Sequence, residues 1–400
     1  MPLTSMLSDA LKVALYGVLA VDVATSGYLL LLTLASLLPR GRKSRSDSPP
    51  ATRFAIVIPA HDEEAMLPST LKSLQGQRYP RDRHEVHVIA DNCTDSTAQV
   101  ARSYGVAVHE RNAPSQPGKG QALRWLLDQL LNREDIDAFV FVDADTIVEA
   151  NFLEASDRRL RAGQDVLQAS YRVTNPESHP LVSLRALAFA LFHDLRGRGK
   201  SLLGLSCGLW GNGMVLSRST VAKIPWESFT AVEDAEQHLK LLLQGTKVAF
   251  VPETHVFGHM PASFGAAKTQ QSRWEGGRLS LVRRYGATLL TSSLRRRSPS
   301  MAAALLELAL PPLSVHLMLS LLVVGVSLIA ADASMIAIAA ACVVALGAYV
   351  VLGLLAARMS LKTYASLLYA PVYIAWKLWL FASEMVRRRD PAWVRTARNT

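Results

Sequence analysis

The residues best placed to do chemistry in this 400-residue chain are aspartates that follow short apolar runs. Asp143 and Asp145 stand two apart, with Ala144 between them, directly after the run 138–142. Carboxylates at that spacing offer oxygen ligands to a hard divalent cation such as Mg²⁺ or Mn²⁺; the plain alternative is a solvated turn. Asp91 follows the run 85–90 in Asp-Asn-Cys-Thr-Asp, where Thr94 or Asp95 can cap the next helix. The run 54–59 leads into Pro59-Ala60-His61-Asp62-Glu63-Glu64; Glu64 suits a helix start, and His61 is read as tied to backbone. Glu233 and Asp234 open an amphipathic segment with apolar residues at 232, 235, 239, 242 and 243, closed by Gly245. Acids belong in a first helical turn, and a carboxylate there can also take a proton from a hydroxyl. Pro117-Gly118-Lys119-Gly120 offers backbone approach and one cation for a phosphate, without the spacing of a Walker loop. Gln270, Arg273 and Trp274 share one face of an expected helix.

These groups need a scaffold that brings them together. Apolar runs at 54–59, 85–90, 106–109 and 138–142 read as strands, and 64–74, 95–104 and 121–131 have helical spacing. The alternation predicts a mainly parallel sheet flanked by helices. Such sheets bind ligands beyond the carboxyl ends of their strands, where three acid-bearing loops follow. A dinucleotide oxidoreductase would need a Gly-x-Gly-x-x-Gly turn after the first strand, and 59–64 has none.

Apolar stretches at 11–39, 313–331 and 335–357 are each long enough to cross a bilayer, and the first is too long for a cleaved signal peptide. Basic clusters at Arg40, Arg42, Lys43 and Arg45, at Arg295, Arg296 and Arg297, and at Arg387, Arg388, Arg389, Arg395 and Arg398 agree on one orientation. By the positive-inside rule the N-terminus lies outside and the soluble middle is cytoplasmic, in a multi-pass protein of the cell membrane. A fourth crossing would break that agreement, so 362–386 is expected as an interfacial helix, with Trp376 and Trp379 at headgroup level and Lys377 snorkelling. The segments are then 1–45 (anchor), 46–262 (soluble domain), 263–300 (interfacial helices), 301–360 (two spans) and 361–400 (interfacial helix and basic tail). The net charge of +10 sits beside the apolar stretches and is read as lipid attraction, with no nucleic-acid partner. Three scattered cysteines suggest no disulfide framework and no zinc site.

Taken in order, Asp91, Asp143-x-Asp145, Glu233-Asp234 and Gln270-x-x-Arg273-Trp274 give the chain its resemblance to family 2 glycosyltransferases. It is most similar to the membrane-embedded subgroup of cellulose, chitin and hyaluronan synthases. Asp62 stands where that family commonly has Asn, Asn92-Cys93 where it has Gly-Ser, and Val232 where it has Thr. The resemblance implies a GT-A fold, an α/β nucleotide-sugar-binding domain inserted between transmembrane helices. It places a nucleotide sugar, most readily UDP-linked, on Pro59, Ala60, Glu63, Asp91, Lys119, Asp143, Ala144 and Asp145. Asp143 and Asp145 would hold Mg²⁺ or Mn²⁺, Asp145 directly. Asp234 would be the general base of an inverting single displacement by a hexosyl- or N-acetylhexosaminyl-transferase. Trp210, Asn212, Glu233, Gln270, Arg273 and Trp274 would serve the acceptor and the diphosphate. The implied acceptor is a growing polysaccharide or a lipid-linked glycan at the bilayer. Three spans are few for a secretion channel, so a homo-oligomer or secretion partner is expected. The alternatives are single-sugar transfer to a lipid carrier and a catalytically inactive scaffold of the same fold.

Overall fold

The computed structural model describes residues 3–38 and 49–386, with backbone alone for 3–12, 266 and 384–386. The basic residues at 40–45 and 387–398 lie outside the described residues, so the orientation inferred from them rests on sequence alone.

The sheet grows outward from β1 (Phe54–Ala60). Phe54, Ile56 and Ile58 enter one buried cluster, while Ala55 and Val57 enter another on the opposite face. A strand covered on both faces has no polar side to show, hence its unbroken apolar run. β2 (His84–Asp91) and β4 (Ala138–Phe141) pair with β1 in parallel, and β3 (Ala107–Arg111) pairs with β2 in parallel. The other strands are β5 (Thr146–Val148), β6 (Val166–Val173), β7 (Met214–Ser217) and β8 (Ala249–Gly258). The full order is β3-β2-β1-β4-β7-β6-β8-β5. β4–β7, β6–β7 and β5–β8 are antiparallel and β6–β8 is parallel, giving a mixed sheet.

Helices seal both faces. Leu67–Gln75 buries Leu67, Leu71 and Leu74 on one side; Lys119–Leu130 buries Leu123, Leu126 and Leu127 on the other. At roughly 1.5–3 kcal/mol per fully buried large apolar side chain, these stripes rather than helix propensity hold the helices in place. The parallel strands β1, β2 and β4 end on the same edge, delivering the loops after residues 60, 91 and 141 to one place.

Among the described residues, three helices are long and apolar enough to cross a membrane: Val13–Leu37, Ala333–Ala356 and Leu361–Ser383. A further pair, Pro299–Ala309 and Leu313–Ile329, meets at 79°. The elbow follows from Pro311 and Pro312, which cannot continue a helix. Two details depart from the sequence reading. The expected span at 313–331 is a 17-residue arm of this bent pair. The segment expected to lie flat meets the same length and apolarity criterion as the other two. Lys377 does not snorkel. It is 6% exposed, 2.9 Å from Glu275 and 2.7 Å from the Gln271 side-chain oxygen.

A continuous helical stretch joins the two halves: Pro180–Phe189, a π-helical turn over Ala190–Leu195, then Arg196–Leu202. A Cβ on Gly199 would lie 2.2 Å from the Leu32 carbonyl oxygen. Only glycine lets this stretch touch the N-terminal helix.

Candidate active site

The acidic loops open into one cavity of about 970 Å³, at the upper end of the usual range for small-ligand sites. It continues from the sheet edge to the apolar helices. Pro59, Ala60, Glu63, Asp91, Lys119, Asp143, Ala144 and Asp145 line one end. Trp210, Glu233 and Asp234 line its middle, and Gln270, Arg273 and Trp274 lie on the helix Phe264–Arg295 beyond them.

Register fixes Asp91. The β2–β3 pairing sets it opposite Arg111, whose Nη1 lies 2.5 Å from its carboxylate with both side chains buried. A buried carboxylate demands such a counter-charge. Arg111 was missed in the sequence because the expected strand stopped at 109, two residues short of the partner. Next to it, Asp62 (φ +54°) accepts hydrogen bonds from the backbone N–H of Thr94 and Asp95. This braces the first two loops against each other. Ligand atoms of Asp62, Cys93 and Asp95 come within 4.8 Å, a convergence that their linear spacing does not disclose. His61 is held at the Asp91 carbonyl, 2.7 Å away.

Asp143 and Asp145 leave β4 on a turn that Asn212 clamps. The Asp143 N–H donates to Asn212 Oδ1, and Asn212 Nδ2 donates to Thr146 Oγ1 at 2.7 Å. Asn212 was expected to line the acceptor site. It is fully buried behind the cavity wall, both ends of its amide are engaged, and so it positions the acidic turn instead. Gln168 holds that segment in turn, bonding the Asn212 carbonyl and the Trp210 N–H.

Lys119 links the acidic turn to Glu233 and Asp234. Its ammonium is 2.6 Å from Asp143, 2.5 Å from the Gly211 carbonyl and 3.7 Å from Glu233. Burial by itself would discharge it, but the carboxylates of Asp143 and Glu233 outweigh that and keep it charged well above the usual lysine range. The glycines flanking Lys119 differ in role. Gly118 (φ +114°) borders the cavity, whereas a Cβ on Gly120 would strike the Ser228 carbonyl oxygen at 2.1 Å, so Gly120 serves packing rather than ligand approach.

Asp234 sits in the first turn of the helix Glu233–Leu243. Burial, reinforced by Glu233, raises its carboxyl well above the ordinary carboxylate range, while Lys119 pulls the other way. Gly211 (φ +78°) lets the chain pass close by: its Cβ would come within 3.0 Å of Asp234. Helix Phe264–Arg295 crosses this point, because a Cβ on Gly277 would meet Val232 at 2.8 Å.

At the far end, Gln270 accepts from Arg185 and Gln271 from Lys377. Trp274 packs against Phe189, ring centroids 5.9 Å apart. Trp210 lies over His193 at 4.6 Å, and burial pushes that imidazole down to about 3, so it is neutral.

Glu63, Asp91, Asp143, Asp145, Glu233 and Asp234 line the cavity, and the pair Asp143 and Asp145 fits a hard divalent cation. Lys119 beside them and Arg273 on the wall beyond supply positive charge, and Asp234 an acid–base group. The arrangement suits displacement at a carbon bearing an anionic leaving group.

Comparison with known proteins agrees with this chemistry. A family model described as "Glycosyltransferase like family 2" matches residues 49–277. A probable glycosyltransferase, YdaM, of Bacillus subtilis is 23% identical over 68% of this chain and 65% of its own length. Glucomannan 4-beta-mannosyltransferase 1 of Cyamopsis tetragonoloba is 24% identical over 57% of this chain and 45% of its own. Poly-beta-1,6-N-acetyl-D-glucosamine synthase of Staphylococcus aureus is 23% identical over 60% and 58%. The matched region thus spans less than two thirds of these curated relatives. Among solved structures, the mannosyltransferase PcManGT of Pyrobaculum calidifontis, in complex with GDP-Man and Mn²⁺, superposes with a TM-score of 0.55 at 17% identity. It covers 94% of this chain and all of its own, a likeness of fold.

Proposed function

The chain belongs to the glycosyltransferase-like family 2, and from that premise we propose that it moves a hexosyl or N-acetylhexosaminyl unit from a nucleotide sugar to a hydroxyl group at a membrane, with inversion. One observation carries the reading: Asp91, Asp143, Asp145, Lys119 and Asp234 line a single cavity that runs on into apolar helices. The donor lies at the sheet edge, its nucleoside by Pro59, Ala60, Glu63 and Asp91 and its diphosphate between Lys119 and Arg273. UDP is the first choice of nucleotide; the GDP-mannose bound by PcManGT supports GDP as the second. Asp143 and Asp145 would hold a divalent cation, which would offset charge on the departing diphosphate.

Asp234 then removes the acceptor hydroxyl's proton as that oxygen bonds the anomeric carbon. The bond from that carbon to the diphosphate oxygen breaks on the opposite face, and the nucleoside diphosphate leaves with the electron pair. A carboxylate made more basic by burial suits this step, since a base works best with its pKa near the operating pH. Lys119 keeps the leaving-group end and the base end in register. Trp210 and Trp274 offer apolar faces to the acceptor. In this scheme residues 46–262 bind the donor, 263–300 close the site, and the apolar helices hold the chain in the bilayer with the site on the cytoplasmic side.

A panel of UDP- and GDP-sugars, with Mg²⁺ or Mn²⁺, tests the reading by nucleotide release and by the anomeric configuration of the product. Asp234→Asn should keep donor affinity and lose transfer by about a hundredfold or more. Undiminished transfer by that variant would remove the base assignment.

A further inference from the structure

Two ring N–H groups with no part in the displacement itself meet beside Gly208. One is Nε1 of Trp210. That ring is held in place by the Trp210 backbone N–H on Gln168 and by packing on His193 and Phe250, with ring centroids 4.6 and 5.8 Å away. The other is Nδ1 of His238, which follows Asp234 by one turn on the helix Glu233–Leu243. Gly208 adopts a positive φ of +107°, and a Cβ placed on it would lie 3.2 Å from Trp210 Nε1 and 4.0 Å from His238 Nδ1. All three residues line the cavity. Among the described residues, neither nitrogen has a hydrogen-bond partner.

The tautomer of His238 follows from its other nitrogen. Nε2 lies 2.9 Å from Ser206 Oγ. Ser206 is 4% exposed, and its Oγ already accepts the Val248 N–H at 2.9 Å. A buried hydroxyl proton needs an acceptor, and the one in reach is Nε2. The ring proton then resides on Nδ1, facing Gly208. Burial, helped by the Lys200 charge, pushes this imidazole down to about 3, so it stays neutral. Two fixed donors thus converge with no acceptor beside them. A hydroxyl group placed there would bring a proton that neither nitrogen can take. A carbonyl oxygen accepts two hydrogen bonds and donates none, and it is uncharged like the pair that meets it.

The pair also has a definite place relative to the base. Along the helix, Glu233 meets Lys119, Asp234 follows, and His238 comes one turn later, about 6 Å further on. It lies on the side of Asp234 away from the leaving group. Resting on the sugar-transfer reading above, we propose that His238 and Trp210 are specificity-determining residues, binding the carbonyl oxygen of an acetamido group on the sugar that carries the attacking hydroxyl. The acceptor therefore ends in an N-acetylhexosamine, and a plain hexose in that position leaves both N–H groups without their carbonyl.

The test uses the full chain in detergent micelles and two probes that differ only in acetamido against hydroxyl: the β-1,4-linked tetramers of N-acetylglucosamine and of glucose. Titration followed by ligand-observed NMR should show the acetamido tetramer bound about tenfold more tightly, as expected for two ordinary hydrogen bonds. Trp210→Phe keeps a ring but removes its N–H, and His238→Phe removes the other donor. Each should lose about threefold of the preference and the double variant all of it, with the glucose tetramer bound as before. His238→Asn, whose amide N–H can stand near the Nδ1 position, should keep most of the preference. UDP and GDP binding, measured in parallel, reports that each variant is folded. Equal binding of the two tetramers by the wild type, or binding of neither, overturns the proposal without need of any variant. So does a preference that survives in the folded double variant, or an equal loss of both tetramers, which would mark a purely structural role. Absence of nucleotide binding in the wild type would instead sink the sugar-transfer reading, with the tetramer preference still measured.

Discussion

At the scale of single residues, the site is a balance of charges held out of water. Asp234 must be ionised to act as a base, and its carboxyl is raised. The transfer rate should therefore fall as pH drops through that raised value, well above the ordinary carboxylate range near 4. A pH profile of kcat reads this acid limb. Lys119→Gln removes the cation that favours the ionised form, so the limb should move to higher pH. Arg111 and Asp91 make a second test. Removing one partner of a buried pair strands the other, so Arg111→Gln should cost about 3–5 kcal/mol in denaturant unfolding. Asp91, Asp143 and Asp145 were legible in the sequence because they follow apolar runs that end at the sheet edge, and Asp234 because it opens an amphipathic helix. The groups that hold the site around them were not. Arg111 and Gln168 act across the fold, and Asn212, expected at the acceptor, is buried behind the acidic turn by strands paired from far along the chain.

At the scale of elements, glycines set how closely helices and loops approach. Gly120 packs the start of helix Lys119–Leu130 onto the Ser228 carbonyl. Gly120→Ala should push that helix start outward, cost at least about 1–3 kcal/mol, and weaken nucleotide binding by displacing Lys119. Thermal unfolding and nucleotide titration check the two effects together. The strands β1, β2 and β4 could be read from hydrophobic runs within a residue or two. The antiparallel additions could not. β5 is three residues long and β7 four, too short for a periodic signal, and β6 and β8 are placed by pairings from far along the chain. The π-helical turn at 190–195 was also invisible in the pattern. It lies where Phe192 and His193 reach the cavity wall, in keeping with the frequent placement of such turns at functional sites.

At the scale of the whole molecule, the apolar helices form a bundle fastened by buried polar contacts. Asp22 on the N-terminal helix lies 2.9 Å from His316 Nε2 and accepts a 2.8 Å hydrogen bond from Ser320. Asp22→Ala should loosen this bundle by about 0.6–2 kcal/mol in detergent, while nucleotide binding by the sheet domain stays intact. Hydropathy found the apolar stretches, but the 79° elbow and the buried Lys377 depend on what packs beside them. The bundle also constrains how the protein is made. Residue 22 is translated long before residue 316, and Leu32 long before Gly199. In a bilayer, the helix Val13–Leu37 would therefore stand without these mates while the sheet domain is synthesised. Its Asp22 would spend that interval without His316 and Ser320, and would gain both only when the late helices arrive and assembly closes.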